Sequence, residues 1–314
     1  MEGEVKRFDT RGTSQSMISV PRNFAEYRIK ESGETGREWI NALPELFDKL
    51  CAKWRIVPDG DPMHGHLALV LPVRRDNEPL VVKISWMDDS NRCESRALEA
   101  WNGNGAVRLL AADPAGGAML LERLDSRRNL STIPFHEAIT VSGRLLRRLA
   151  MPAPHGLPTA SRVLTTLANQ LTHRRESYGG AIPKPWIQRA RELAIHLARS
   201  NTNLLVNYDL HFENVLAGQR EPWLAVDPKV VAGNVEYGIA QLLWTSVDAI
   251  IAGQGFDYCF DLLADAAEID ITLARSCTIV RTLDYWLWAL SVGFTVDPHR
   301  CEILMNWLMA RRED

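Results

Sequence analysis

Residues 204–229 read Leu-Leu-Val-Asn-Tyr-Asp-Leu-His-Phe-Glu-Asn-Val-Leu-Ala-Gly-Gln-Arg-Glu-Pro-Trp-Leu-Ala-Val-Asp-Pro-Lys. Three apolar runs, Leu204–Val206, Val215–Ala217 and Trp223–Val226, have the length and texture of short strands. Gln219-Arg220-Glu221-Pro222 supplies a turn between the last two. Asp209, Asn214 and Asp227 fall where those strands stop or start. Burying an unpaired carboxylate is costly. Oxygen-bearing side chains at strand ends therefore suit a divalent metal and a proton acceptor better than they suit a core. Asp209, on the loop after the first strand, reads as the proton acceptor. Asn214, five residues later, offers a neutral oxygen and Asp227 an anionic one. Completed by waters and phosphates, such a donor set is what Mg²⁺ prefers.

The D-x-x-x-x-N spacing equals that of the protein-kinase catalytic loop. Phosphoryl transfer asks a protein to position phosphates, to neutralise their charge and to take a proton from the acceptor hydroxyl. Asp209 or Asp227 alone would read equally well as an Asx-turn residue. The whole constellation, set between three strands, points to a kinase-like phosphotransferase.

Working upstream, Leu67–Val73 and Leu80–Ser85 flank a polar turn and read as a hairpin. Lys83 is the one lysine in its apolar run, and either meets the phosphates of a nucleotide or snorkels to the surface. Residues 88–102 predict a helix, with Asp88, Asp89 and Ser90 as N-cap candidates. Glu94 and Glu99 lie on it, and a kinase-like site needs one glutamate to hold the strand lysine. Ala106–Ala112 and Ala118–Leu124 read as two more strands, and periodicity stops at Asp125-Ser126-Arg127-Arg128, the expected domain boundary. Residues 35–54 predict two packed helices, with Pro44 marking a break or a helix start, and residues 1–16 predict a loose tail.

Downstream of Pro134, helical periodicity covers Phe135–Ala150, Ser161–His173, Pro185–Ser200, Val235–Ala252, Gly255–Ala267, Ile271–Val292 and Pro298–Arg311. The expected fold class is therefore α+β, in two lobes. Residues 1–124 form helices and a small nucleotide-binding sheet; residues 125–314 form a mostly helical lobe with the catalytic loop and substrate site.

Composition is that of a globular protein, with 46% hydrophobic and 24% charged residues in 314. A net charge of −3 argues against nucleic-acid binding, which needs a basic face. Five widely spaced cysteines without a CxxC read as reduced and buried, not as a disulfide framework or zinc site. No apolar run is long enough to span a membrane, and the N-terminus has no signal-peptide core, so a cytoplasmic location is expected. Between Lys229 and Arg275 there is no Lys or Arg, while Glu236, Asp248, Asp257, Asp261, Asp265, Glu268 and Asp270 stand there. That interval is either an acidic wall for a cationic acceptor or a solvated helix face. Trp244, Tyr258, Trp286 and Trp288 could stack on a ligand or fill the core.

Val-Asn-Tyr-Asp-Leu-His-Phe-Glu-Asn-Val-Leu followed by Arg-Glu-Pro-Trp-Leu-Ala-Val-Asp-Pro-Lys resembles the signature of the aminoglycoside phosphotransferases, most of all the streptomycin 6-phosphotransferase and hydroxyurea phosphotransferase branch. Residues 101–110, residues 119–124 and the helices at Gly36–Trp54 are similar in the same way. The resemblance implies a protein-kinase-like fold and an ATP- and Mg²⁺-dependent O-phosphotransferase. It implies Asp209 as catalytic base, Asn214 and Asp227 as Mg²⁺ ligands, and Lys83 on the phosphates with Glu94, rather than Glu99, as its partner. The backbone of Glu122, Arg123 and Leu124 would hold the adenine, and His211 would orient the loop; without the resemblance His211 is an acid–base candidate. The implied acceptor is an aminoglycoside or similar cationic, hydroxylated small molecule; hydroxyurea, an endogenous metabolite, or nucleotide binding without transfer are the alternatives. Asn207-Tyr208 stands where the family commonly has His-Gly, and Gly233-Asn234-Val235-Glu236-Tyr237-Gly238 where it commonly has Gly-Asp-Pro-x-Tyr-Asp.

Overall fold

The computed structural model describes residues 18–178, 180–199 and 202–310. The expected tail at residues 1–16 lies outside them. The chain packs into two compact units. The first holds the described residues up to Met87 together with Leu110–Arg123, and the second holds Asp88–Leu109 with the remainder from Leu124.

The first unit is one long helix on one sheet. Helix α1 (Arg22–Trp54) is followed by β1 (Val57–Pro58), β2 (Met63–His64), β3 (Ala68–Arg75) and β4 (Glu78–Ser85), and after an excursion by β5 (Leu109–Asp113) and β6 (Ala118–Glu122). The strand order is β1-β3-β4-β6-β5, and β2 pairs with β3 on the same edge as β1, so the Pro58–Pro62 turn merely interrupts that edge. Residues directly opposite in an antiparallel pair share a face. Leu69 faces Ile84, Leu71 faces Val82, Val73 faces Leu80, and Val82 faces Leu120. These side chains are fully buried and pack against Phe24, Leu43, Phe47 and Leu50 of α1. Alternation sends Lys83, opposite Val70 and Met119, to the other face.

Two expectations change here. The break in the N-terminal helices is at Gly33 (φ 60°, ψ −134°), not at Pro44, which sits inside the helix. Only a residue without Cβ takes that conformation cheaply. Past the kink the chain turns back closely enough that a Cβ on Gly36 would lie 2.6 Å from the Arg28 carbonyl oxygen. The second strand pair is also shorter than expected, since β5 starts at Leu109 and Ala106 instead bridges to Ala225.

The second unit carries α2 (Glu94–Trp101), β7 (Asp125–Asn129), α3 (Phe135–Leu149), α4 (Ala160–Tyr178), α5 (Lys184–Leu197), β8 (Leu204–Asn207), β9 (Val215–Ala217), β10 (Trp223–Ala225) and β11 (Val230–Gly233). It ends in α6 (Ala240–Thr245), α7 (Val247–Ala252), α8 (Gly255–Ala267), α9 (Ile271–Ser291) and α10 (Val296–Ala310). Helix α2 starts six residues later than Asp88 suggested. The Asp88 carboxylate caps a turn instead, accepting from the backbone N–H of Ser90 at 2.8 Å and of Asn91 at 3.3 Å. The charged run at Asp125 is a strand too, pairing with β9 across a bulge. The helix expected over Val235–Ala252 is three pieces, a 3₁₀ turn (Val235–Gly238), α6 and α7, parted at Ile239 and Ser246.

All five cysteines are free and buried, as expected of reduced thiols. Among the described residues no helix is long and apolar enough to cross a membrane.

Candidate active site

Strand β8 ends at Asn207, and its pairing with β11 sets Val230 opposite Asn207, which brings Lys229 alongside the loop that follows. Three bonds define that loop. Tyr208 N–H donates to the Lys229 carbonyl at 2.9 Å, Asp209 N–H donates to the Asn207 Oδ1 at 3.1 Å, and Lys229 Nζ lies 3.1 Å from Asp209 Oδ2. The Asp209 side chain is 13% exposed. Its carboxylate thus stands at a strand end with an ammonium beside it, and Leu210, fully buried, anchors the next position.

A 3₁₀ turn (Phe212–Asn214) follows, closed by Asn214 N–H to the His211 carbonyl at 3.0 Å. Asn214 is tied at both ends. Its Nδ2 donates to the Asp209 carbonyl at 3.3 Å, and its own carbonyl accepts from Val226 N–H at 2.9 Å. The second bond draws the exit of β10, and so Asp227, to the same loop. Asp227 is exposed and left-handed (φ 50°), a conformation that costs a non-glycine residue energy and re-aims the chain. Hydrogen bonds through Asn214 therefore link Asp209 to Val226, the neighbour of Asp227, across the eighteen positions that separate the two aspartates.

This donor set fits Mg²⁺. With Nδ2 spent on the loop, Asn214 has its Oδ1 to offer as a ligand, and Asp227 supplies an anionic oxygen. Magnesium takes one or two protein oxygens and keeps waters and phosphates for the rest. Among the described residues no group of three or more His, Cys, Asp and Glu is arranged to hold a metal. In the first unit Lys83 is 6% exposed, which excludes a snorkelling surface lysine. Two residues along the same face, the buried Ser85 Oγ has no hydrogen-bond partner among the described residues, a polar atom that a nucleotide oxygen could satisfy. Glu94 is buried at the start of α2, and Glu99 lies three residues before Asn102, which caps the end of that helix. Glu122 closes β6. The Arg123 side chain is occupied within its own unit, donating to the Leu80 and Val73 carbonyls and to Asp59 Oδ2 at 2.8 Å. Leu124 is where the chain re-enters the second unit.

Burial lowers the His211 pKa, against an opposing pull from the Asp209 carboxylate. The imidazole is therefore neutral at pH 7, which suits a loop-orienting role better than a proton donor's. The acidic interval is largely spoken for. Asp248 pairs with Arg300, Glu268 with Arg147, Asp257 accepts from Trp307 Nε1, Asp270 caps α9, and Glu236 accepts from the Asp270 N–H. Trp244 and Trp286 are core, whereas Tyr258 and Trp288 are 44% and 45% exposed.

Sequence reasoning missed Lys229 and a buried arginine, Arg281 of α9. Arg281 donates to the Tyr208 carbonyl at 3.0 Å, and its guanidinium carbon lies 4.7 Å from the Tyr208 ring, 4.8 Å from Tyr237 and 5.5 Å from Trp244. The signal was present: a cation in an otherwise apolar stretch, the same cue that singled out Lys83. The residues that depart from the family pattern also have visible work. Asn207 holds Asp209, Tyr208 and Tyr237 face Arg281, and Asn234 Oδ1 accepts from Thr202 N–H at 2.7 Å.

A sequence model of the family described as "Aminoglycoside/hydroxyurea antibiotic resistance kinase" matches residues 53–311. The chain is 34% identical to a hydroxyurea phosphotransferase of Kitasatospora aureofaciens, over 94% of this chain and 87% of that one. It is 31% identical to a streptomycin 6-kinase of Streptomyces glaucescens, over 91% of this chain and 96% of that one. Among solved structures it is similar to the choline kinase LicA of Streptococcus pneumoniae, with a TM-score of 0.59 at 13% identity, covering 86% of this chain and 99% of that one. It is also similar to a thermostable mutant of aminoglycoside phosphotransferase APH(4)-Ia in ternary complex with ADP and hygromycin B, with a TM-score of 0.57 at 12% identity, covering 82% and 97%. The fold is the α+β, protein-kinase-like one, a sheet-bearing N-terminal unit followed by a mostly helical one.

Proposed function

Because this chain belongs to the aminoglycoside/hydroxyurea antibiotic resistance kinase family, we propose that it transfers the γ-phosphoryl group of ATP to a hydroxyl of an aminoglycoside or similar cationic small molecule. Asp209 is the group that accepts or orients the acceptor hydroxyl's proton. The observation that carries this reading is the bonding of the loop: Asp209 is held at its N–H by Asn207, at its carboxylate by Lys229 and at its carbonyl by Asn214. A base so fixed needs little reorganisation when the hydroxyl arrives.

Asn214 Oδ1 and the Asp227 carboxylate would hold Mg²⁺. Bound there, the ion would neutralise charge on the phosphate oxygens. Lys83, on the sheet face away from α1, would meet the nucleotide phosphates, with Glu94 as its counter-charge, and the backbone of Glu122, Arg123 and Leu124 would bind the adenine. On this reading residues 1–124 supply the nucleotide side and residues 125–314 the acceptor side.

The test is product formation from ATP across a panel of hydroxylated cationic compounds, read by mass spectrometry, for wild type, Asp209→Ala and Asp227→Ala. Wild type should phosphorylate at least one, and both variants should fall by two orders of magnitude or more, on the order of the 10²- to 10⁴-fold worth of a positioned acid–base group. Equal turnover by all three proteins would sink the mechanism. A second reading keeps the chemistry and makes the acceptor hydroxyurea or another small, weakly charged molecule. The neutralising partners of Asp248 and Glu268 support it, as does the similarity to a hydroxyurea phosphotransferase. The same panel, with hydroxyurea included, separates the two.

A further inference from the structure

We infer that Arg281 is a positioning residue for the phosphoryl transfer, setting the direction of Asp209 through the Tyr208 carbonyl; the inference rests on the function proposed above. The peptide unit between Tyr208 and Asp209 is planar and rigid. Its N–H is held by Asn207 Oδ1 at 3.1 Å and its C=O by an Arg281 Nη at 3.0 Å. Holding both ends of one peptide fixes its plane. The plane fixes N and Cα of Asp209, and the Asn214 Nδ2 bond to the Asp209 carbonyl at 3.3 Å holds the next peptide; together they set the torsion about N–Cα, and so the Cα–Cβ direction of Asp209. The first hold is local to the loop. The second comes from α9, more than seventy residues away in sequence, and ties the loop to the helical body.

A buried guanidinium is an expensive way to fill space, and an apolar side chain of similar volume would cost less. The surroundings are built around the charge. The rings of Tyr208, Tyr237 and Trp244 present their faces to the guanidinium, while Asp284, one turn along α9, is held by Arg174 at 2.6 Å. The site is also closed from below. A Cβ on Gly238 would lie 2.7 Å from the Asn207 carbonyl oxygen, so the turn bearing Tyr237 can press on the end of β8 only because position 238 is glycine. The arginine and the glycine thus meet two successive peptides beside the proposed base, 208–209 and 207–208, with the rings packed around the guanidinium.

The experiment compares wild type with Arg281→Met, which keeps volume and loses the donor, and Arg281→Lys, which keeps charge and one donor. Three quantities are read: kcat for transfer to the acceptor (or to water), the dissociation constant for ATP by direct titration, and the fraction folded by circular dichroism. Arg281→Met should lose about 100-fold in kcat, the scale of a misplacement near 1 Å, with ATP affinity within about three-fold of wild type. Arg281→Lys should recover part of the loss. A folded Arg281→Met with kcat within about three-fold of wild type overturns the inference, as does a loss shared equally by kcat and ATP affinity. Should Arg281→Met fail to fold, Tyr208→Ala removes one wall of the ring cluster and leaves the carbonyl; it should lose kcat and keep ATP affinity, and unchanged kcat overturns the inference. A wild type silent with every acceptor and with water overturns the proposed function itself, and this inference with it.

Discussion

Gly238→Ala adds one methyl group where the structure leaves no room. The new Cβ would stand 2.7 Å from the Asn207 carbonyl oxygen, 3.0 Å from Leu146 Cδ2 and 3.2 Å from Val206 Cγ1. Leu146 can rotate, but the Asn207 carbonyl is backbone in a strand paired with β11. Ordinary contact begins at 3.4 Å, so this strand end has to retreat by roughly 0.7 Å. Overpacking of this kind costs about 1–3 kcal/mol. The same displacement acts on Asn207 Oδ1, which holds the Asp209 N–H at 3.1 Å, a bond with little slack before it is lost. A shift of that size next to a base translates into a loss of kcat approaching 100-fold. The assay is a urea denaturation midpoint together with kcat per folded molecule. Gly143→Ala is the control, since its Cβ would meet Ala266 Cβ at 2.7 Å in the α3–α8 contact and should cost similar stability with kcat unchanged. The reasoning is refuted if Gly238→Ala loses stability but keeps kcat, or if the two variants lose kcat alike.

Lys229→Ala leaves the 13%-exposed Asp209 carboxylate without its ammonium, at a cost of about 1–2 kcal/mol, between the exposed and buried ion-pair cases; kcat should fall and be partly restored by Lys229→Arg. His211 bears on acid stability. Burial holds its folded pKa below the unfolded value of about 6.5. The unfolded chain therefore takes up the proton first, and stability falls as pH drops through that value. His211→Asn should flatten the decline between about pH 7 and pH 5, and an unchanged slope in denaturation midpoints would remove His211 from the account. Burial also raises the thiol pKa values of Cys51, to about 11, and Cys259, to about 12, so a thiol-reactive reagent should label them no faster than the chain unfolds. Rapid labelling under native conditions would contradict the burial of all five cysteines.

The sequence by itself determined the parts whose signal is local. Periodicity and turn chemistry marked the strands around residue 204–229, the Lys83 strand and most of the helices, because a half-buried element writes its period into its own residues. The spacing of Asp209, Asn214 and Asp227 was legible for the same reason: short strands set the distances between their ends. What the tertiary structure decided is everything set by a partner far along the chain. The kink belonged to Gly33 rather than Pro44 because the fold turns the helix back on itself there, and a glycine in a polar stretch gives no hint of that. The Asp125 run became a strand because β9 lay beside it. The bonds of Lys229 and Arg281 to residues 208–209, and the close approach of Gly238 to Asn207, join segments that no local pattern connects. Three oxygen-bearing side chains at strand ends were written in residues 204–229; the direction in which Asp209 points was left to a helix seventy residues away.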